Sequence, residues 1–291
     1  MMAPRLCLLA GAFALSFAGS LAAGSGPSTA GTIDEIRAAQ TIRIAFREDA
    51  PPFSYREAGQ VEPSGFIVEL CRVVAKKLST QLKIPSLKVS YVPVTAANRF
   101  DVIERRDADL LCEPTSATLA RRERVDFSIA TFVDGASLLT RDTSLHNLRS
   151  MAGKTIGVLS GTTTEEKLRG SLKAFGISAE IVPAATHDDG LAMIESGKIT
   201  AYFADQTILV SLLNRSKEPD KLAIAEEYLS MEPYALALPR GEGEFRLAVD
   251  TALSHIYRGG EIGAIFQAAF GPNVRPTEML KTLYMLSSLP D

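Results

Sequence analysis

Two successive runs of alternating strand-like and helix-like segments constrain this chain more than any other feature. In the first run, "TIRIAF" (41–46) reads as a buried strand and "GFIVELCRVVAKKL" (65–78) as an amphipathic helix. "LKVSYVPV" (87–94) then reads as a strand, "RFDVIERR" (99–106) as a short helix and "ADLLC" (108–112) as a short buried strand. After "HNLRSMAGK" the rhythm restarts: strands at 155–160, 179–183 and 199–204 alternate with helices at 163–175, 187–197 and 205–214. A last strand at 234–239 precedes helices at 244–258 and 261–270. This is a βαβ pattern given twice, so the expected fold is α/β in two lobes. Two extended segments, "GASLLTR" (135–141) and "EPYALALPR" (232–240), lie between the runs and lack Gly/Ser linker composition. Two such crossings predict a hinge with a ligand cleft between the lobes. The expected division places lobe 1 at 32–136 and 238–291, and lobe 2 at 137–237.

The first residues read differently. Arg5, the apolar "LCLLAGAFALSFA" (6–18) and the small residues of "SLAAG" (20–24) have the order of a secretory signal peptide, expected to span 1–23. "GSGPSTAG" (24–31) reads as a flexible linker. No later apolar run reaches the ~18 residues that a spanning helix needs. The expectation is an exported, periplasmic, monomeric protein. A formal net charge of −3 offers no attraction for nucleic acid or an anionic membrane. Three histidines and two cysteines beyond the leader show no metal-ligand spacing, and no cofactor is expected. Export favours pairing of those two, Cys71 with Cys112; two buried free thiols are the alternative.

"TSATLARRER" (115–124) sets hydroxyls ahead of arginines, directly before the apolar "VDFSIATF". A run such as RRER is ordinarily a solvated helical face. The sharper reading is an anion site in which hydroxyls and a guanidinium converge on a carboxylate or phosphate.

Taken together, "REDAPPFSY" (47–55), "PVTAANRF" (93–100), "TLARRERVDFS" (118–128), "GKTIGVLSGTTTEE" (153–166), "ESGKITAYFAD" (195–205) and "GGEIGAIFQAAFG" (259–271) resemble the family 3 extracellular solute-binding proteins, the amino-acid receptors of ABC importers. The resemblance runs from Thr32 to Gly271. It implies a two-lobe type II periplasmic-binding-protein fold, a small-molecule amino-acid ligand and a membrane permease as partner. Carried over by position, it implies that Arg121 grips the ligand's α-carboxylate and that Ser116 helps bind its amino-acid group. Thr162 matches a residue that donates to the same carboxylate, at a helix start where free N–H groups favour an anion. A plain cap with Glu166 in the capping-box position is compatible with that role. Asp205 matches the acid that pairs with the ligand's ammonium; its alternative is an N-cap for the next helix.

Three basic residues bear on specificity. Arg47 stands where relatives binding cationic amino acids place an aspartate, and Arg99 and His187 match basic residues of the glutamate/aspartate binders. The resemblance therefore implies an acidic amino acid. Two departures accompany it. Glu113-Pro114 replaces a pair of small residues, and Pro114 brings no N–H to the site. Ala269 replaces a tryptophan, in a chain with no Trp at all. The competing reading is a periplasmic cyclohexadienyl dehydratase on the same scaffold, with Glu113 as general acid. A sensory or channel ectodomain is disfavoured because no spanning segment follows the domain.

Overall fold

The computed structural model describes residues 31–291. The expected signal peptide, and all of the linker except Gly31, lie outside the described residues. The chain begins with helix α1 (Thr32–Ala39), strand β1 (Thr41–Arg47) and the hairpin β2 (Asp49–Ala50) and β3 (Ser54–Tyr55). Helix α2 (Phe66–Gln81), β4 (Lys88–Val94), α3 (Arg99–Glu104), β5 (Leu110–Leu111) and α4 (Leu119–Arg122) follow. Strands β6 (Val125–Asp134) and β7 (Ala136–Thr140) lead into the second run of β8 (Thr155–Leu159), α5 (Thr163–Ala174), β9 (Glu180–Ala184), α6 (His187–Glu195), β10 (Ala201–Asp205), α7 (Gln206–Arg215) and β11 (Ala223–Ile224). The chain ends with β12 (Glu232–Pro239), α8 (Gly243–Arg258), α9 (Glu261–Phe270) and α10 (Glu278–Ser287).

Two five-stranded sheets result, in the orders β4-β1-β5-β12-β6 and β11-β7-β10-β8-β9. In the first, β1 runs parallel to β4 and β5, and β12 runs antiparallel to β5 and β6. In the second, β8 lies parallel between β9 and β10, while β7 pairs antiparallel with β10 and β11. β1 is apolar because helices cover both its faces: Ile42, Ile44, Ala45 and Phe46 are fully buried. Helix α2 presents Ile67, Leu70, Cys71, Val74 and Leu78 to that sheet, the i, i+3, i+4, i+7 stripe read from the sequence. A disulfide joins Cys71 on α2 to Cys112 just after β5, which ties the helix to the strand leading into the 113–117 loop.

The sheets are joined where the sequence places extended segments, at different limits. β6 passes into β7 through Gly135, whose Cα packs so tightly on Ser230, Tyr228 and Met231 that a side chain there has no room. The return crossing ends before Glu232, because Glu232 already pairs with Asp134 of β6. β12 therefore belongs wholly to the first sheet, and the limit expected at residue 237 falls inside one of its strands. Pairing with β6 decides this, and the local sequence carries no trace of it. Among the described residues no helix is long and apolar enough to cross a membrane.

Candidate functional site

Each of the seven residues singled out by the resemblance reaches its place through local structure. Arg47 closes β1. Its backbone N–H donates to Ser54 Oγ (3.0 Å) and its carbonyl accepts from the same hydroxyl (3.1 Å), which staples the hairpin to the strand end. Arg99 opens α3 after a turn in which Asn98 Oδ1 accepts from the Thr95 N–H (2.8 Å). Ser116 lies on a loop held against β12: Ala117 N–H donates to the Pro233 carbonyl (3.0 Å), and Ala235 N–H to that of Thr115 (3.1 Å). Arg121 sits in the single turn α4, which Thr118 caps by accepting from the Arg121 N–H (3.2 Å). Thr162 caps α5, accepting from the Glu165 N–H (3.2 Å), and the carboxylate of Glu165 accepts from the Gly161 N–H (2.9 Å). Glu165, rather than the exposed Glu166, stands at the third helical position, but its carboxylate reaches the N–H before the cap, so no reciprocal capping box forms. His187 opens α6 behind a complete capping box of Thr186 and Asp189. Asp205 ends β10.

All seven line one cavity, together with Pro114, Thr163, Thr164, Phe203 and a few apolar residues. It lies between the two sheets. Arg47, Arg99, Ser116 and Arg121 come from the first, Thr162, His187 and Asp205 from the second. The lobes meet across it: Arg99 Nη2 donates to the Gly161 carbonyl (3.1 Å), Ser116 Oγ lies 3.2 Å from Thr163 Oγ1, and Tyr234 hydrogen-bonds Asp205. Closed in this way, the cavity volume is only about 20 Å³. A larger groove, about 600 Å³, is lined mainly by apolar residues such as Phe132, Phe266, Phe270 and Met279. Ala269 lines that groove and not the charged cavity. Convergent polar groups make the smaller cavity the candidate recognition site.

The two ends of the cavity differ electrostatically. At one end, Arg121 donates through Nη1 to the Ser116 carbonyl (2.9 Å) and stacks over Phe100, 5.2 Å from the ring centre. Its neighbours Arg122 and Arg124 are exposed, and Arg124 pairs with Asp101 and Glu104, so they form the solvated face expected of them. Asp205 begins α7 without capping it. Its oxygens instead accept from Thr164 Oγ1 (3.3 Å) and from Tyr234. Asp134 takes over the helix end, accepting from the Thr207 N–H at 3.2 Å. Burial pushes the Asp205 carboxyl above its ordinary range, and nearby Glu232 adds to the rise. Asp134 is raised likewise, by burial and then by Asp205.

At the other end, Arg47 binds Asp49 Oδ1 through Nε (2.8 Å) and Nη2 (2.7 Å). Burial alone raises Asp49, but Arg47 and the His187 backbone outweigh it and hold the carboxyl below its ordinary value. Arg99 gives N–H groups to the Ala96 and Gly161 carbonyls; burial draws its pKa down to about 10, which leaves it cationic at neutral pH. His187 is fully buried, with Nδ1 at 3.0 Å from the Tyr202 hydroxyl. Gly190, one turn along α6, leaves the space that the Tyr202 ring occupies. Burial and then Arg47 pull the His187 pKa down to about 3, so this ring, which the resemblance matches to a basic residue, is neutral here. Between Arg47 and Arg99, behind the cavity lining, lies Glu113, a departure from the family pattern that the sequence also offers as a candidate general acid. Tyr234 was missed altogether: it stands 29 residues from Asp205 on a strand that reads as core. Among the described residues no group of His, Cys, Asp and Glu could hold a metal.

Comparisons with known proteins place the chain in a family. The chain is 28% identical over 247 residues to an L-glutamate/L-aspartate-binding protein of Pseudomonas aeruginosa, covering 84% of this chain and 82% of that one. It is 26% identical over 269 residues to a glutamate/aspartate import solute-binding protein of Escherichia coli, covering 92% and 89%. Among solved structures, the solute receptor for L-cysteine of Neisseria gonorrhoeae superposes with a TM-score of 0.72 at 22% identity, over 85% of this chain and 98% of that one; this likeness shows the fold alone. The profile of the bacterial extracellular solute-binding proteins, family 3, matches residues 42–272. With two α/β lobes closing on one charged cavity, and a profile match across nearly all the described residues, the chain belongs to that family.

Proposed function

We propose that the protein is a periplasmic receptor that captures an acidic α-amino acid, glutamate or aspartate, and delivers it to an ABC-type permease. The observation that carries this reading is the convergence of all seven expected residues on one interlobe cavity. Arg121 from the first lobe receives the α-carboxylate, a pairing in which a guanidinium can donate twice. Thr162 supports it at the start of α5, where free N–H groups and the helix dipole favour an anion. Ser116 and Asp205 hold the ammonium, Asp205 from the opposite lobe. A zwitterion bound this way bridges the lobes and favours the closed state over the open one. Arg47, Arg99 and neutral His187 face the side chain. Two relatives named for glutamate and aspartate support the acidic preference.

A binding protein without catalysis is the reading those relatives support over a dehydratase. Burial raises the carboxyl of Glu113, the one candidate acid, against the opposing pull of Arg99 and Arg47, but Glu113 is not among the residues that line the cavity and so does not face a bound substrate as a general acid must. A thermal-shift screen of the twenty amino acids, with prephenate and arogenate included, tests the proposal. Glutamate or aspartate at 100 times its Kd should stabilise the protein by ~2.7 kcal/mol. Stabilisation by neither, or conversion of prephenate or arogenate, would overturn it.

A further inference from the structure

We propose that Glu113 is a specificity-determining residue: a carboxylate of the protein's own that competes with a ligand's side-chain carboxylate for Arg47 and Arg99, so that an acidic amino acid binds with more proton uptake than its amide. The inference rests on the receptor reading above and refines its ligand class.

Glu113 is 1% exposed, with Oε1 at 3.4 Å from Arg99 Nε and Oε2 at 4.0 Å from Arg47 Nη1. Neither oxygen has a hydrogen-bond partner, and Arg99 Nε and Arg47 Nη2 are likewise short of well-formed bonds. A buried charge held only by Coulomb attraction is costly, and a group so placed for stability alone would be expected to gain hydrogen bonds. The surroundings are limited. Arg47 at the end of β1, Arg99 on α3, Arg121 on α4 and Asp49 on β2 act on it, while Glu166 acts on Arg99 and neutral His187 on α6 adds no charge. In the distal half the cations Arg47 and Arg99 face the anions Asp49 and Glu113, so two positive charges meet two negative ones.

The distal pocket is therefore already neutral. A glutamate side chain brings one further negative charge into a buried space, and either that charge stays uncompensated or one carboxylate takes a proton. Burial already raises Glu113, whereas Arg47 holds Asp49 down, so the proton goes to Glu113. Glu113 itself lies behind the cavity wall; once protonated it no longer competes for Arg47 and Arg99, which do line the cavity and are then free for the ligand's carboxylate. A glutamine side chain demands no such proton. Asp205 responds to the ammonium of both ligands alike, so its contribution cancels in the comparison.

The experiment is calorimetry of L-glutamate and L-glutamine at pH 7 in two buffers of different ionisation enthalpy, which counts protons exchanged on binding. The wild type should take up more protons with glutamate than with glutamine. In Glu113→Gln that difference should vanish. The ratio of affinities should also shift toward glutamate by about tenfold for each unit between the pH and the carboxyl's pKa. A wild type that binds only glutamine, with Glu113→Gln gaining glutamate, supports the same role. Equal proton counts for the two ligands in wild type would overturn the proposal. So would an unchanged affinity ratio in a folded Glu113→Gln; should that variant fail to fold, the wild-type proton count decides alone. Failure of both ligands to bind wild type between pH 5 and 8 would instead defeat the receptor reading, and the role of Glu113 with it.

Discussion

The two ends of the cavity use the same residue types for different purposes. At the amino-acid end, Arg121 binds only a backbone carbonyl, and Asp205 is held by two hydroxyls with no cation in hydrogen-bond contact. Their charges are left for a partner from outside. At the side-chain end, Arg47 is bound to Asp49, and Glu113 lies against both Arg47 and Arg99. There the protein has supplied its own counter-charges. A charge count over the whole cavity would miss this: what a guanidinium recognises depends on whether its donors are already used. The amino-acid end should fix the ligand class and most of the affinity, and the side-chain end should set the choice among class members.

The largest effect should come from Arg121→Ala. Leaving the α-carboxylate unpaired in a closed cavity should cost ~2–5 kcal/mol for every amino acid. Calorimetry of glutamate, aspartate and glutamine checks it, with the exposed Arg122→Ala as a control that changes little. A loss confined to acidic ligands would break the division of labour between the two ends.

The opposite pole of that end titrates. Burial raises the Asp205 carboxyl in the free protein, whereas the ligand's ammonium favours the ionised form, so binding releases a proton where the free protein holds one. Affinity for every amino acid should therefore rise with pH through that raised pKa and fall on the acid side. Asp205→Asn should weaken binding by ~1.5–3 kcal/mol and flatten this dependence. His187, with a pKa of about 3, is neutral at pH 5 and above, so His187→Gln should leave the shape of the profile unchanged. A profile that flattens in His187→Gln and persists in Asp205→Asn would reverse the assignment.

The smallest effect on binding should come from reducing the Cys71–Cys112 disulfide. It spans a sequence separation of 41 residues, and neither cysteine lines the cavity, which Pro114, two residues after Cys112, does. Reduction should lower stability by ~2–4 kcal/mol, read as a fall in Tm, with affinity nearly kept. A large loss of affinity for acidic ligands alone would show that the bridge positions Glu113.

Much of this was legible in the sequence because it depends on local period. α2, α5 and α9 follow their apolar spacing, β8 is a nearly continuous apolar run, and β1 is one interrupted by Arg43. The limits that depend on pairing were not legible. β12 begins at Glu232 because β6 offers a partner there, and β2 and β3 are two residues each, too short for any alternation to register. The site divides the same way. Motif position located the seven lining residues, but the state of each depends on neighbours distant in the chain. Burial against Tyr202 and Arg47 makes His187 neutral, Asp134 frees Asp205 from capping, and Arg47 and Arg99 receive Glu113.

A crystal structure of the glutamate complex tests the central claim most directly. The α-carboxylate should lie on Arg121 and Thr162, the ammonium on Asp205, and the side-chain carboxylate toward Arg47 and Arg99. A glutamate bound in the opposite sense, with its side-chain carboxylate on Arg121, would contradict it. Glutamate seated in the apolar groove beside Phe270 would contradict it equally.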